Sequence, residues 1–359
     1  MTVRKKAWIF GGAAILGAAA LGVVAYVDRH RVISDPGEVY PAIARIERLE
    51  GAAKRLAAMR SLSARLDPSS RFYTLDRLCA LTLEAGELDA AERCARDLLA
   101  EATKWQGDWN YGNALHRANI LLGQAALKRD DLEGASRFLL ESTKTPGSPQ
   151  LATQGPDAAL ASALLARGRT EAVAKYVEGC RSFWRDGGRA LDVWSRFVQA
   201  SAGASSPGPR FFEDEPVQGH LQEVLPQFWG NARLGSGEPV LPADERDRAT
   251  LPVDPAYAEA VARVGVSFGV ALHCGVAWQE DFLAFMKAEV KARSFTPKQR
   301  AFVAFLHGFA QSRTAQAARL LPCTEEDRKA LSVLLGSHAK GLWTPGAVGP
   351  APAPNPVHP

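Results

Sequence analysis

Cysteine and histidine are the residues of this sequence whose types would support redox or metal chemistry. The chain of 359 residues contains five cysteines and seven histidines. No two cysteines have the C-x-x-C spacing of a zinc site, a thioredoxin-like site or a haem attachment. In an oxidising compartment, cysteines form stable disulfides. The sequence therefore favours structural bridges over redox catalysis.

Two pairs of cysteines are positioned to form such bridges. Cys274 ends one predicted helix and Cys323 immediately precedes another, so an up-down bundle brings them together. Cys79 and Cys94 lie about equally far from the turn of one predicted helix hairpin. We predict disulfides within both pairs, which leaves Cys180 unpaired and buried. In the alternative interpretation, all five cysteines are small buried hydrophobic residues.

A metal site is the competing chemistry near the C-terminal cysteines. The side chains that are potential ligands there are His273, Cys274, His307 and Cys323. Their spacing matches no known metal motif, and His307 lies beside the apolar row of its predicted helix. The sequence also contains no P-loop, nucleophile elbow, Rossmann glycine fingerprint or H-E-x-x-H motif. We therefore expect no bound metal, no cofactor and no catalytic residues.

The polar and aromatic stretch WQGDWNYGNALHRAN (105–119) is the candidate site for a protein partner. Asn113, His116 and Asn119 are spaced three residues apart, so their side chains share one face of a helix. The predicted binding residues are Asn113, His116, Arg117, Asn119, Gln124 and Lys128. In the alternative interpretation, these side chains hydrogen-bond the neighbouring segment TKTPGSPQL (143–151) and position the helices that follow.

Three segments of the chain share a similar pattern, and the second of them overlaps the end of this stretch. Each has an apolar helix, a tight turn and a second helix rich in alanine; the segments are residues 75–99, 116–140 and 156–180. The predicted turns are residues 85–87, 129–131 and 167–169. Small residues such as Ala91, Gly123 and Ala135 lie where the paired helices approach closely. This is the pattern of a helical repeat.

The residues from Asn110 to Trp184 resemble a recurrent type of bacterial tetratricopeptide-repeat protein. The sequences that carry the resemblance are NYGNALHRANILLGQAALKRDDLEGASRFLLESTKTPGSPQL and GPDAALASALLARGRTEAVAKYVEGCRSFW. They cover about a fifth of the chain. The resemblance implies a scaffold of stacked helix pairs with a concave binding surface, and it supplies no catalytic residues.

The N-terminal segment predicts where the chain is located. Residues 7–27 carry no charge, and about 20 apolar residues suffice to span a bilayer. Basic residues at 4–6 precede this run, so the positive-inside rule places the N-terminus in the cytoplasm. We predict a single-pass inner-membrane protein whose folded part is periplasmic. The alternatives are a signal peptide cleaved near residues 18–20, which leaves a secreted or periplasmic form, an apolar core helix, and an inverted topology with a cytoplasmic folded part.

The composition of the remaining chain predicts an all-α protein. One helix is expected over residues 39–66, and Asp254, Thr296 and Thr324 are expected to cap the bundle helices. The predicted divisions are a cytoplasmic segment (1–6), a transmembrane helix (7–27), a juxtamembrane helix (28–70), a repeat domain (71–200), a Pro/Gly-rich linker (201–254), a small helical bundle (255–340) and a disordered tail (341–359).

The predicted function follows from this organisation. The net charge is +4 and the basic residues are scattered, which argues against nucleic-acid binding. We expect a membrane-anchored scaffold, not an enzyme, that binds proteins or peptides of the cell envelope and contacts the bilayer through its N-terminal helix. The small-residue row Ala14, Ala18 and Gly22 permits a homo-oligomer. The alternative is an envelope enzyme or metal-binding protein with its site in the C-terminal bundle.

Overall fold

The computed structural model describes residues 31–202, 212 and 217–340. This part of the chain forms 16 α-helices and contains no β-strand, which confirms the prediction of an all-α fold. No helix within it is long and apolar enough to cross a membrane. The predicted transmembrane helix (7–27), the predicted cytoplasmic segment (1–6) and the predicted tail (341–359) lie outside the described residues.

The chain divides into two compact units, residues 1–149 and 150–359. The described residues of unit 1 (31–149) form six helices, and successive helices pack on each other. They are α1 (Pro36–Glu47), α2 (Ala52–Ser63), α3 (Pro68–Glu84), α4 (Leu88–Ala102), α5 (Tyr111–Lys128) and α6 (Leu132–Glu141). The boundary between the units falls inside the predicted repeat domain (71–200), so the third predicted hairpin belongs to unit 2.

Two helices occupy the region in which a single helix over 39–66 was predicted. Helix α1 ends at Glu47 and α2 begins at Ala52. Gly51 between them has a φ of 88°, a left-handed value that interrupts an α-helix and that glycine adopts at little cost. The prediction of one continuous juxtamembrane helix is therefore wrong. The two helices pack together through Val39, Ile43 and Met59.

The three predicted hairpin turns are confirmed. Residues 85–87, 129–131 and 167–169 each separate two helices. The central residue of each turn has a positive φ: 82° at Gly86, 61° at Asp130 and 74° at Gly168. A left-handed residue at this position reverses the chain within three residues. Each hairpin is thus closed by the same local backbone geometry.

Both predicted disulfides are confirmed. Cys79 on α3 joins Cys94 on α4, with a Cα–Cα distance of 5.4 Å. Cys274 joins Cys323 with a Cα–Cα distance of 5.5 Å. Cys180 is a free, buried thiol, as predicted. One bridge therefore lies in each unit, and each holds two helices of that unit in register.

Unit 2 is built around one long central helix, α15, which packs against α10, α11 and α13. The ten helices that follow α6 are α7 (Pro149–Gln154), α8 (Ala159–Ala166), α9 (Thr170–Cys180), α10 (Gly188–Ser201), α11 (Gln218–Asn231), α12 (Glu245–Ala249), α13 (Pro255–His273), α14 (Gln279–Ala292), α15 (Pro297–Ala317) and α16 (Glu325–Ala339). The predicted caps Asp254, Thr296 and Thr324 each accept a hydrogen bond from a backbone N–H in the first turn of α13, α15 and α16.

Two glycines bring α13 and α15 into backbone contact. A Cβ atom on Gly265 would lie 2.6 Å from the His307 carbonyl oxygen, and one on Gly269 would lie 2.6 Å from the Gln311 carbonyl oxygen. Such distances are far below van der Waals contact, so neither position accommodates a side chain without movement of a helix. The small size of these residues sets how closely the two central helices approach.

The predicted linker (201–254) is largely part of the folded unit. It contains α11 and α12, and α11 packs on α13 and α15 with Val224 and Phe228 fully buried. The indole Nε1 of Trp229 donates to the Arg248 carbonyl at 3.0 Å, which fixes α12 against α11. A sequence rich in Pro, Gly and charge therefore forms ordered structure here because its aromatic residues are buried.

Trp184 lies between two glycines. A Cβ on either Gly155 or Gly187 would overlap its indole ring. On another side the ring centroid is 5.1 Å from that of Trp194. Trp194 in turn donates to the Ala317 carbonyl at 2.9 Å, which ties α10 to the end of α15. The two indoles form a buried aromatic pair in unit 2.

Candidate functional site

The N-terminal half of α5 anchors the loop that follows α6. His116 is fully buried, and its Nδ1 lies 3.0 Å from the Ser142 carbonyl oxygen. Thr145 Oγ1 donates to the Gly112 carbonyl at 2.8 Å. A Cβ on Gly112 would overlap the carbonyl oxygen of Gly147, so the loop backbone lies directly on the helix. His116 is therefore part of the interior and is not exposed to a partner.

Asn113 extends the same contact. Its Oδ1 accepts a hydrogen bond from Ser148 Oγ at 2.6 Å, and its Nδ2 donates to Asn110 Oδ1 at 3.0 Å. For Asn113 and His116, the contacts match the alternative interpretation, in which they position the 143–151 segment.

The other four predicted binding residues do not join them in one recess. Arg117 Nε lies 3.6 Å from Asp76 Oδ2 on α3, and Asn119 Nδ2 donates to the Leu115 carbonyl of its own helix at 2.9 Å. Gln124 is half-buried, whereas Lys128 is exposed at the C-terminal end of α5. The six side chains thus follow the helix without converging on a single cavity.

A charged cleft lies at the turn end of α4, α5 and α6 in unit 1. Its volume is about 430 Å³. The floor is apolar and comes from Leu122 and Ala126 of α5 and Phe138 of α6. The charged residues that line it are Asp89, Glu92, Arg96, Arg129, Asp131 and Arg137. We call this set of residues the charged cleft.

Ion pairs organise the walls of the charged cleft. Arg129 contacts both Asp89 Oδ1 at 2.5 Å and Glu92 Oε2 at 2.9 Å, and Arg96 contacts Glu92 Oε1 at 2.5 Å. These side chains are partly solvent-exposed, and exposed pairs contribute only about 0–1 kcal/mol each. Breaking these ion pairs therefore costs little free energy.

Arg137 differs from the other arginines of the charged cleft. Its guanidinium lies 5.5 Å from the ring centroid of Phe138. Within the part of the chain that the structure describes, no carboxylate forms an ion pair with it. The sequence did not single out this site, because charges spaced three or four apart on amphipathic helices usually form a solvated face.

The candidate metal ligands of the C-terminal bundle do not assemble a ligand set. The sulfur atoms of Cys274 and Cys323 are bonded to each other and are not thiolates. His273 Nε2 lies 3.0 Å from the Leu321 carbonyl oxygen. The described residues contain no group of three or more His, Cys, Asp or Glu side chains placed to hold a metal ion.

His307 occupies the centre of this bundle. It is fully buried, and the ring centroids of Phe268 and Phe282 each lie 4.7 Å from its own. Neither ring nitrogen forms a hydrogen bond with the described residues. Burial lowers the pKa of His307 to about 3, with a smaller contribution from nearby His338. The imidazole is therefore neutral at physiological pH.

A second cleft lies in unit 2 between α11 and α12. Its volume is about 630 Å³, and its walls are mainly the apolar side chains of Leu221, Leu225, Pro226 and Trp229. Arg248 contributes the one positive charge among its lining residues. This cleft has the size of a ligand pocket, but it lacks the convergent polar groups that orient a small substrate.

Comparison with known proteins assigns no family to this geometry. No protein-family model, no curated protein and no solved structure matches the chain. The function must therefore be inferred from the contacts and charges of the chain's own residues.

Proposed function

We propose that this protein is a membrane-anchored helical-repeat scaffold that binds protein or peptide partners in the bacterial cell envelope and has no catalytic activity. Residues 7–27 serve as the anchor in this proposal, and the two units lie on the periplasmic side of the inner membrane. Two cysteine pairs at disulfide distance support the proposal, because disulfides persist in oxidising compartments.

The observation that carries the proposal is the charged cleft. It combines an apolar floor with charged walls, the composition that lets a protein surface bind a peptide with both affinity and specificity. Arg137 supplies a guanidinium that lies over the ring of half-buried Phe138 and forms no ion pair with any carboxylate that the structure describes. The complementary partner segment carries an acidic side chain next to an apolar one.

The helix hairpins support the repeat part of the proposal. Both α3–α4 and α5–α6 have three-residue turns with a left-handed central residue, and α4 packs between α3 and α5. Such stacked pairs are the unit of tetratricopeptide arrays, which the sequence resembles. Successive stacking creates an extended surface that a partner binds without any catalytic group.

Crosslinking and pull-down from membranes with the full-length chain test the proposal. We expect Arg137→Glu to lose partners, because it adds a carboxylate to a cleft already lined by Glu92 and Asp131 and repels an acidic segment. Arg93→Glu is the matched control, since Arg93 is exposed on α4 and does not line the charged cleft. An identical partner set for Arg137→Glu and the native chain would remove the charged cleft as a binding site.

Location is tested separately by mass spectrometry of non-reduced peptides from native membranes. Export predicts that Cys274 and Cys323 are recovered as one linked peptide pair. Free thiols at both positions would contradict a periplasmic folded part, because the cytoplasm keeps cysteines reduced. Recovery of the linked pair from the soluble fraction, with a new N-terminus near residue 20, would instead indicate a cleaved signal peptide.

A further inference from the structure

Helix α14 presents apolar side chains to solvent as well as to the bundle. Its buried residues are Phe285 and Glu289. Leu283 is 57% exposed and Val290 is 40% exposed. Met286 is half-buried, whereas the Phe282 ring packs on His307 inside the bundle. At about 100° per residue, Leu283, Met286 and Val290 occupy adjacent positions along the helix, and we call these three residues the α14 stripe.

Basic side chains border the α14 stripe. Lys287 and Lys291 are exposed. Around the helix axis they lie next to the stripe, on the side away from the buried residues Phe285 and Glu289. Neither lysine forms an ion pair with any residue that the structure describes. The acidic residues of α14 that are not buried in the bundle are Glu280 and Asp281, and both lie in the first turn of the helix. The C-terminal half of the stripe therefore lies beside two lysines that form no ion pair with the described residues.

We propose that the α14 stripe docks on the surface of an anionic lipid bilayer. Apolar side chains of this kind enter the boundary between headgroups and acyl chains, while flanking lysines contact lipid phosphates. The charge of Lys287 and Lys291 complements an anionic headgroup layer. This contact involves the folded part of the chain and depends neither on residues 7–27 nor on the charged cleft.

The size of the stripe argues for lipid over a second copy of the chain. A stable protein interface takes about 20–30 residues from each side. The α14 stripe has three apolar residues, of which one is half-buried. Shallow insertion into a bilayer requires only a few apolar side chains together with basic neighbours.

A fluorescent probe at position 283 tests the proposal in the full chain. Leu283→Cys is labelled selectively under non-reducing conditions, since Cys180 is buried and the other four cysteines form disulfides. The protein is reconstituted in phosphatidylcholine vesicles and in equimolar phosphatidylcholine–phosphatidylglycerol vesicles, each with and without a lipid-borne nitroxide quencher. Val333→Cys is the matched control, because Val333 is a 73% exposed apolar residue on α16.

We expect a blue shift and nitroxide quenching of the probe at 283 in the anionic vesicles, and neither at 333. Replacing both Lys287 and Lys291 by Gln lowers the ratio of docked to undocked protein about 30-fold. The same change at Lys329 and Lys340, which are exposed on and after α16, leaves the ratio unchanged.

Three results would overturn the proposal. The first is the absence of a shift in both kinds of vesicle. The second is an equal shift in both without nitroxide quenching, which would mean that another segment of the chain covers the stripe. The third is a shift that disappears when the number of protein molecules per vesicle is reduced, which would assign the stripe to contact between copies.

Discussion

Acidification should destabilise unit 2 through His307. The folded bundle holds this imidazole neutral among Phe268, Phe282 and Phe285, and burial lowers its pKa from 6.5 to about 3. In the unfolded chain the ring is solvated and titrates near 6.5. Between these two values the unfolded state binds a proton that the folded state does not. The free energy of unfolding therefore falls as the pH falls below 6.5.

The size of this effect follows from the two pKa values. Each proton bound only by the unfolded state changes the free energy of unfolding by about 1.4 kcal/mol per pH unit. Integrated from pH 7 to pH 5, protonation of His307 in the unfolded chain costs about 2 kcal/mol. His220 and His338 are also buried, with pKa values lowered to about 3 and about 4, and each adds a similar loss.

Urea unfolding followed by tryptophan fluorescence at pH 7 and pH 5 measures the effect. His307→Gln removes the titrating group, so its free energy of unfolding should fall about 2 kcal/mol less than that of the native chain over this interval. Unit 1 is unchanged in the variant, and its contribution cancels in the comparison. Phe228→Leu, a change at a buried core residue whose ring contacts are Trp229, Phe302 and Phe305, should keep the native pH dependence.

Equal pH dependence in the native chain and His307→Gln would refute this reasoning. It would mean that His307 is already protonated in the folded state, or that it is solvated there. A uniform loss of stability at both pH values would not affect the conclusion, because the prediction concerns the difference in slope.

Three further perturbations test other parts of the fold. Gly269→Ala should lower the free energy of unfolding of unit 2 by about 1–3 kcal/mol in a urea titration, because the added Cβ overlaps α15. Gly336→Ala is the control and should not lower it, because a Cβ at this position would lie in open space. Joint replacement of Cys274 and Cys323 by Ala should cost about 4 kcal/mol in the same measurement, and an unchanged midpoint would contradict the bridge. Asp67→Ala removes the cap of α3 and should cost about 1 kcal/mol at pH 7. Hydrogen bonds from Ser side chains and backbone lower the Asp67 pKa to about 2, so this difference should disappear only as the pH falls through that value.

Features set by local chemistry could be predicted from the sequence. The turns at 85–87 and 167–169 each contain a glycine that adopts a left-handed conformation, and Thr296 and Gln299 form a capping box within four residues. The two disulfides were predictable because both pairs flank helix ends or turns. In these cases the determining residues are neighbours in sequence, lie at the ends of recognisable helices, or, for Cys79 and Cys94, lie almost equally far from one turn.

Features that depend on packing could not be predicted in this way. The apolar pattern that suggested one helix over 39–66 includes Leu49, which is 39% exposed at the break before Gly51. For His116 the sequence left open a partner-binding and a loop-anchoring interpretation, because its partner Ser142 lies 26 residues away and only tertiary packing brings the two together. The charged cleft combines residues near 90 with residues near 130, and only tertiary packing brings these together.

The pairing of Trp184 and Trp194 gives unit 2 an intrinsic spectroscopic signature. The centroids of their indole rings are 5.1 Å apart, and the ring planes are inclined by 56°. At this distance the electronic transitions of the two chromophores couple. Such coupling produces a pair of circular-dichroism bands of opposite sign. Because Gly155 and Gly187 enclose Trp184 with backbone alone, a small displacement of either segment moves the ring and changes the bands. The pair therefore reports tertiary order in unit 2 without any added label.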